Sequence, residues 1–323
     1  MNPFPSAKEL RAAALRCAPL IHRTPVLTSA TLDAMTGASL FFKCENFQKI
    51  GAFKIRGATN FMHSLPREQM KKGVVTHSSG NHAQAVAKTA RDLGVPAYIV
   101  MPETAPAVKV AAVRGYGAEV IVCTPTLEAR ETTAQSVIDR TGATFVHPYD
   151  DDRVILGQST CAQELLEDYG PFDIVMAPVG GGGLLGGTAL AVHHFAPGTQ
   201  VIAAEPAAAD DAYRSFKARQ HFPSENPQTI GDGLLTSVGK RNFEMLLELV
   251  DDVVTCSEAG IVRAMRLIWE RMKIIIEPSC AVPLACILEG KVAVKGKKIG
   301  IILTGGNVDL DRFFSQFSPN EGQ

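Results

Sequence analysis

The chain has 323 residues, of which 46% are hydrophobic and 20% charged, so it is long and apolar enough to bury the cores of about two domains. Its 32 lysine and arginine residues nearly balance its 33 aspartate and glutamate residues. The resulting net charge of −1 gives no overall electrostatic attraction to a nucleic acid or an anionic membrane, so neither is expected as a partner.

The seven cysteines are odd in number, irregularly spaced and without a CxxC pair. This pattern argues against a disulfide framework or a structural zinc site, and it predicts a reducing, cytoplasmic compartment. At the N-terminus no basic segment leads into an apolar one, so we expect no signal peptide.

Short runs rich in valine and isoleucine alternate with longer helical patterns along the chain. The runs predict strands at 40–44, 74–76, 97–101, 119–123, 144–146, 173–177, 200–204, 252–256 and 298–303. Helical patterns between them include 82–94, 105–117 and 260–272. This alternation predicts an α/β fold with parallel sheets covered by helices on both faces. So many strands exceed one comfortable sheet, and two α/β domains are expected.

One uncharged run, Ile174 to Val192, is long enough to span a membrane. Its six glycines and Pro178 would interrupt a bilayer helix, so a buried strand, a glycine loop and a buried helix explain it better. The N-terminal helical pattern and the last strand could share one domain. We therefore predict a large domain of residues 1–72 and 151–323, with residues 73–150 inserted as a small domain.

Ligands bind at the carboxyl ends of strands in such sheets, so the residues that follow each strand are the informative ones. Ser78 to His82, SSGNH, follow one strand and open a helix. Free N–H groups at a helix start attract an anion such as a carboxylate or phosphate. An ordinary helix cap explains the motif equally well, because serine and asparagine are preferred capping residues.

A glycine-rich segment, Val179 to Gly187, follows the strand at 173–177. Four consecutive glycines lose much entropy on folding, which predicts that the backbone approaches another group closely. A phosphate held by several N–H groups is favoured over close packing of a helix on a strand. The segment matches neither a Walker A loop nor a dinucleotide-binding fingerprint.

Two further motifs are weak when taken alone. In AFKIRG, residues 52–57, Lys54 and Arg56 would be exposed residues at alternate positions. Lys54 becomes a candidate only beside a phosphate cradle, because a lysine with a phosphate anchor is what a pyridoxal-phosphate site requires. In LTGGN, residues 303–307, Thr304 offers a neutral hydroxyl at a strand end, and a simple strand-to-turn junction is the alternative.

The segment EPAAADD, residues 205–211, has a different chemistry. Two carboxylates with a backbone carbonyl between them could hold Mg²⁺, Mn²⁺ or Ca²⁺ through hard oxygen ligands. Alternatively, Asp210 or Asp211 caps the helix that follows. From spacing alone, the cap is favoured.

Six motifs in this order resemble the fold-type II pyridoxal-phosphate enzymes of the serine/threonine dehydratase and serine racemase group. They lie at 41–60, 76–85, 178–187, 203–211, 270–279 and 303–310 and so cover nearly the whole chain. The resemblance implies two open, twisted, mostly parallel sheets flanked by helices, and pyridoxal 5′-phosphate as cofactor.

The resemblance also implies a role for each matching residue. Lys54 forms the Schiff base with the cofactor, and Ser79 is a second acid/base on the opposite ring face. The cofactor is bound by Phe53, Lys54, Asn81, Gly180, Gly181, Gly182, Gly183 and Thr304. The substrate is bound by Ser78, Ser79, Asn81, His82, Arg130 and Thr236, with Arg130 at a position that can meet a second carboxylate.

Two ligand sites of the racemase branch are implied as well. Glu205, the Ala209 carbonyl and Asp211 match its divalent-cation site, which reverses the preference for a helix cap. A nucleotide effector site, with ATP as effector, would be lined by Gln84, Tyr116, Lys273 and Asn307. A homodimer is the habit of the family.

The activity implied is β-elimination from serine, threonine or 3-hydroxyaspartate, giving a 2-oxo or imino acid and ammonia. Segments 210–219, 232–237 and 277–285 look closer to 3-hydroxyaspartate dehydratases than to animal racemases. The chain ends soon after residue 310, so we expect no C-terminal regulatory domain and no feedback control by isoleucine. Racemisation as the main activity is one alternative. The other is a non-catalytic protein that binds an amino acid or nucleotide, against which the presence of Lys54 argues.

Overall fold

The computed structural model describes residues 4–310, apart from the side chain of Val108. The strands in this range are β1 Val26–Leu27, β2 Ser39–Cys44, β3 Val74–His77, β4 Ala97–Pro102, β5 Glu119–Cys123, β6 Thr144–Phe145, β7 Ile174–Pro178, β8 Gln200–Pro206, β9 Asp252–Cys256 and β10 Lys298–Leu303. The helices are α1 Ala7–Cys17, α2 Ala30–Thr36, α3 Lys54–His63, α4 Arg67–Lys71, α5 Asn81–Leu93, α6 Ala107–Gly115, α7 Leu127–Thr141, α8 Asp152–Tyr169, α9 Gly183–Phe195, α10 Asp211–Ala218, α11 Lys240–Leu249, α12 Glu258–Met272 and α13 Pro278–Leu288.

The strands form two separate sheets. The larger has the order β1-β2-β10-β7-β8-β9, and the smaller has the order β5-β4-β3-β6. Every pairing is parallel except that of β1 with β2. The predicted fold class, an α/β protein with two mostly parallel sheets, is therefore confirmed.

All nine predicted strands are present, whereas the two-residue β1 was missed because so short a segment has no periodicity to detect. The uncharged run at 174–192 divides into β7, the glycine loop and α9, as predicted. Among the described residues, no helix is long and apolar enough to cross a membrane.

Helices cover both faces of each sheet, because successive strand residues alternate between opposite cores. On the large sheet, Ile174 and Met176 pack with α2, α12 and α13. Val175 and Ala177, on the same strand, pack instead with α8, α9 and α11. The small sheet is covered by α3, α5 and α6 on one face and by α7 on the other. Burial on both faces explains why the strands are almost continuously apolar.

The topology brings the chemically unusual segments together. β10 lies between β2 and β7 although it is last in sequence, so the strand order changes direction at the β10–β7 pair. Thr304 follows β10 directly and the glycine loop follows β7, so both lie at this switch point. A ligand crevice is expected at such a point in an open α/β sheet.

Candidate active site

Lys54 is the first residue of α3 and lies beside the end of β10. The preceding residue, Phe53, donates its N–H to the Thr304 carbonyl at 2.9 Å, which anchors the start of the helix. The Lys54 Nζ donates to the Pro148 carbonyl at 2.8 Å and lies 6.0 Å from the centre of the Tyr149 ring. Burial lowers the pKa of Lys54 to about 8, and the negative charge of Glu277 partly opposes this. A lysine with this pKa is partly neutral at physiological pH and can act as nucleophile or base.

Arg56 does not occupy the exposed position that its motif alone suggests. Its side chain is fully buried and binds the carboxylates of Glu45 and Glu164, each at 2.7 Å. Lys43, also fully buried, binds the same Glu164 at 2.6 Å. Two positive and two negative charges thus compensate one another inside the protein, which a buried ion requires. The cluster anchors the first turn of α3, which begins with Lys54.

The glycine loop is a close-approach backbone segment with free donors. Among residues 4–310, no hydrogen-bond acceptor is found for the N–H groups of Gly180, Gly181, Gly182 and Gly183. A Cβ on Gly181 would lie 2.3 Å from the Tyr149 ring, and Gly182 has φ +90°, a conformation that favours glycine. α9 begins at Gly183, so its positive dipole end adds to these donors. The unpaired N–H groups suit a phosphate group. The same glycines also allow the close packing against Tyr149, so both explanations of the glycine content apply.

Thr304 and Asn81 are connected by a buried carboxylate that sequence reasoning did not single out. Glu277 Oε1 accepts from the Thr304 hydroxyl at 3.1 Å, and Oε2 accepts from Asn81 Nδ2 at 2.9 Å. Cys280 Sγ lies 3.2 Å from the same hydroxyl. Burial raises the pKa of Glu277 to about 7, assisted by Asp232 and opposed by the two hydrogen bonds. A lone carboxylate inside the apolar stretch 274–288 was the signal that could have identified it.

The SSGNH motif does not form a side-chain cap. α5 begins at Asn81, its N-cap is Gly80, and no side chain caps it. Ser78 Oγ accepts instead from the Gly80 N–H at 3.3 Å, and half-buried Ser79 has no hydrogen-bond partner among the described residues. The alternative of an ordinary serine or asparagine cap is therefore wrong, and the hydroxyls remain available to a ligand.

The side chain of His82 is turned into the protein. It is buried, and its Nε2 lies 3.1 Å from the Val146 carbonyl, to which it must donate because a carbonyl only accepts. Burial holds the pKa of His82 well below its usual value, so the ring is neutral. Any contact of His82 with a substrate carboxylate would be made by its backbone N–H.

Arg130 and Thr236 approach the site from different sides. Arg130 lies in α7 near His77, the last residue of β3, and its charge adds to burial in lowering the pKa of that histidine. Thr236 is exposed and its side chain reaches the hydroxyl of Tyr149. The structure thus places Arg130 near the end of β3 and Thr236 beside Tyr149.

Glu205 and Asp211 form a fully buried pair of carboxylates behind the glycine loop. Burial and the neighbouring Asp211 charge raise the pKa of Glu205 well above its usual value, and burial raises that of Asp211 to about 6. Asp211 Oδ1 is buried with no partner, and the Ala209 carbonyl accepts no hydrogen bond from any described residue. These unsatisfied oxygens fit a divalent cation, whose charge would remove the repulsion between the carboxylates.

The capping of α10 differs from both alternatives that the sequence suggested. Asp210 is the N-cap but makes no side-chain cap, because its carboxylate binds Arg214 at 2.8 Å. Glu205 caps the helix instead, accepting from the N–H groups of Ala212 and Tyr213 at 3.1 and 2.9 Å. The carboxylate that caps the helix is therefore the one at the end of β8.

The four predicted nucleotide residues are only partly brought together. Asn307 Nδ2 donates to Asn81 Oδ1 at 2.8 Å, and Gln84 lies one turn further along α5. The Cζ of Arg91 lies 4.9 Å from the centre of the Tyr116 ring, and Lys273, the C-cap residue that follows α12, has φ +60°. Hydrogen bonds and ring contacts within residues 4–310 do not link these last two residues to Asn307.

Comparison with known proteins agrees with this geometry. A family model described as pyridoxal-phosphate dependent enzyme matches residues 18–305. The beta-hydroxyaspartate dehydratase of Paracoccus denitrificans (strain Pd 1222) is 51% identical over 309 residues, 96% of this chain and 98% of that protein. The L-threo-3-hydroxyaspartate ammonia-lyase of Saccharomyces cerevisiae is 44% identical over 318 residues, 98% of each chain.

Among solved structures, serine racemase from Dictyostelium discoideum has a TM-score of 0.89 at 48% identity, covering 94% of this chain and 98% of that one. The resemblance suggested by the six motifs is thus confirmed over nearly the full length. The chain belongs to the family of pyridoxal-phosphate-dependent enzymes.

Proposed function

We propose that the protein catalyses β-elimination from a β-hydroxy α-amino acid, releasing a 2-oxo acid and ammonia. The observation that carries the proposal is the position of Lys54 at the switch point of the large sheet, where the glycine loop presents unpaired N–H groups. The lowered pKa of Lys54 makes its amine reactive there. A surface lysine would have neither property. A non-catalytic binding protein would have no use for a reactive lysine there.

The residues divide the chemistry among them. Pyridoxal phosphate, when bound, supplies an electron sink for the bond that breaks at Cα. The neutral amine of Lys54 takes the Cα proton, and the substrate loses its β-hydroxyl as water. The enamine left behind becomes an imine, and water hydrolyses it to the oxo acid and ammonia. Thr304 presents a neutral hydroxyl held by Glu277, whereas Ser78, Ser79 and the backbone at the start of α5 receive the substrate carboxylate.

The preferred substrate is proposed to be 3-hydroxyaspartate. Two similar proteins are named for hydroxyaspartate, and Arg130 offers a fixed positive charge near the end of β3. A second carboxylate would pair with this guanidinium, with Thr236 as a neutral partner. Serine and threonine lack the second carboxylate and are expected to be weaker substrates.

Three further features belong to the same proposal. A divalent cation, Mg²⁺ or Mn²⁺, would be held by Glu205, the Ala209 carbonyl and Asp211. ATP would act as an effector near Asn307, whose side chain contacts Asn81 and so has a direct route to the cofactor site. The enzyme would work as a cytoplasmic homodimer, and the smaller sheet with its helices would form the small domain at residues 73–150.

The test is a comparison of Lys54→Ala with Lys88→Ala. Lys88 lies on α5 and pairs with Asp92, so its loss leaves the cleft unchanged. Lys54→Ala should abolish release of oxo acid from a panel of L- and D-serine, L-threonine and the 3-hydroxyaspartate isomers, because the variant lacks the amine that attaches the cofactor. Lys88→Ala should keep wild-type rates. Near-normal turnover by Lys54→Ala would contradict the proposed role of this lysine.

Serine racemisation is the second candidate activity, favoured by the unpartnered hydroxyl of Ser79. Racemisation needs one group to remove the Cα proton and another to return it on the opposite face, whereas elimination from an L-amino acid needs only Lys54. Ser79→Ala should therefore nearly abolish racemisation and elimination from D-substrates, while elimination from L-substrates survives. The ratio of L to D activity is measured, because a general rise in KM cancels in it. An unchanged ratio would leave Ser79 as a carboxylate-binding residue only.

A further inference from the structure

Asn242, in the first turn of α11, contacts two loops of the cofactor site from behind. Its side chain is buried, and its Nδ2 donates to the Gly181 carbonyl at 2.9 Å and to the Tyr149 carbonyl at 3.0 Å. Both neighbours are carbonyl oxygens, so the amide nitrogen must be the atom that faces them.

The first of these hydrogen bonds sets the direction of a donor in the glycine loop. The Gly181 carbonyl also accepts from the Gly239 N–H at 3.0 Å, so two donors hold it on the protein side. In a planar trans peptide the C=O and the following N–H point in opposite directions. Holding the Gly181 carbonyl therefore directs the N–H of Gly182 away from the protein interior, and this N–H has no acceptor among the described residues.

The second hydrogen bond connects the glycine loop with the turn that holds the lysine. In this turn the Pro148 carbonyl accepts from Lys54 Nζ, and the next carbonyl, that of Tyr149, accepts from Asn242. One side-chain amide thus fixes the spacing between the segment that binds Lys54 and the loop that would bind the phosphate. A Cβ on Gly182 would lie 2.7 Å from the Cβ of Asn242, so the glycine loop and α11 are in direct contact.

We propose that Asn242 is a positioning residue for the cofactor phosphate: it orients the peptide between Gly181 and Gly182 so that its N–H is directed at the anion before the anion arrives. Pre-orienting a donor removes the cost of ordering it on binding, so the effect belongs to cofactor affinity and not to the chemical step. The inference rests on the proposed function only in taking the glycine loop as the phosphate site.

The experiment compares the affinity of the cofactor-free protein for pyridoxal phosphate and for pyridoxal, which lacks the phosphate, by fluorescence titration. Asn242→Ala should weaken binding of pyridoxal phosphate about tenfold, as expected for the loss of a buried hydrogen-bonding group, and leave pyridoxal nearly unaffected. Inorganic phosphate should also compete less well in the variant. Asn242→Ser keeps one donor on a shorter side chain and should recover part of the affinity.

The matched control is Gln163→Ala. Gln163 is another buried amide, in α8, and its Nε2 donates to the Leu10 carbonyl and to Ser159 away from the cleft. It should lower the melting temperature without changing the ratio of the two affinities. If Asn242→Ala and Asn242→Ser weaken both ligands equally, the residue is structural only and the inference is wrong. If the wild-type protein itself does not prefer pyridoxal phosphate to pyridoxal, the glycine loop is not the phosphate site, and the proposed function fails with it.

Discussion

Burial shifts the pKa values of Lys54 and Glu277 in opposite directions. It disfavours the charged form of each, so the amine has a lowered pKa of about 8 and the carboxyl a raised pKa of about 7. The negative charge of Glu277 raises the pKa of Lys54 and so partly opposes the effect of burial. Between the two values, Glu277 is an ionised carboxylate and Lys54 is an ammonium group. Burial therefore lowers the pH above which the lysine becomes neutral, and the carboxylate raises that pH again in part.

This coupling gives a prediction for pH dependence. The rate at which cofactor-free protein attaches pyridoxal phosphate should rise with pH and level off above about 8, because only the neutral amine of Lys54 attacks the aldehyde. In Glu277→Gln the opposing negative charge is gone, so the pKa of Lys54 falls further and the profile should move to lower pH. Absorbance of the attached cofactor measures the rate. A profile that keeps its midpoint would mean that Glu277 does not act on Lys54.

At the scale of elements, the segment that joins β8 to α10 combines two tasks. Glu205 caps α10 through two N–H groups, whereas Oδ1 of the neighbouring Asp211 is buried without a partner among the described residues. Asp211 Oδ2 accepts from the Val238 N–H at 2.8 Å, and Gly239 then donates to the Gly181 carbonyl. A cation between the carboxylates would therefore stabilise not only this junction but also the segment that supports the glycine loop.

The prediction for this element concerns thermal stability. A chelator should lower the melting temperature by several degrees and Mg²⁺ or Mn²⁺ should restore it, because a ligand at 100 times its Kd stabilises the native state by about 2.7 kcal/mol. Asp211→Asn removes one carboxylate charge, so its melting temperature should no longer respond to chelator. Asp210→Asn breaks the partly exposed pair with Arg214 but keeps both buried carboxylates, so it should respond like the wild type. Equal melting curves with and without chelator in the wild type would contradict a cation site.

At the scale of the whole molecule, one ion pair connects the two sheet units across the crevice. Lys109, in α6 beside the small sheet, lies 2.9 Å from Asp232, in the 232–234 turn beside the large sheet. Both charges act on Glu277, since Asp232 raises and Lys109 lowers its pKa. The pair is partly exposed, so its strength is limited by solvent screening.

Lys109→Ala should therefore raise the KM for substrate only modestly, by less than about fivefold, since an exposed pair is worth at most about 1 kcal/mol. The difference from wild type should disappear at about 0.5 M salt, where the charges are screened. Lys217→Ala breaks a comparably exposed pair with Asp252 far from the crevice and should leave the KM unchanged. A salt-independent rise in KM would show that Lys109 acts by contact with the substrate and not through Asp232.

Much of this architecture could be read from the chain, because strands and helices are governed by local patterns. The nine predicted strands, the helices that follow them and the position of the glycine loop depend on apolar periodicity and glycine content within short windows. The rule that ligands bind at strand ends then places Lys54, the glycine loop and Thr304 in one crevice. The division into domains and the individual residue roles remain predictions.

Other features could not be predicted, because they depend on partners that are remote in sequence. Glu277 meets Asn81 across 196 residues, and Asn242 meets Gly181 across 61. Arg56 is a charged residue that a local pattern would place on the surface, yet its carboxylate partners make full burial tolerable. Whether a polar side chain is exposed, capping or buried depends on which donors and acceptors surround it, and these are assembled only when both sheets have folded and packed together.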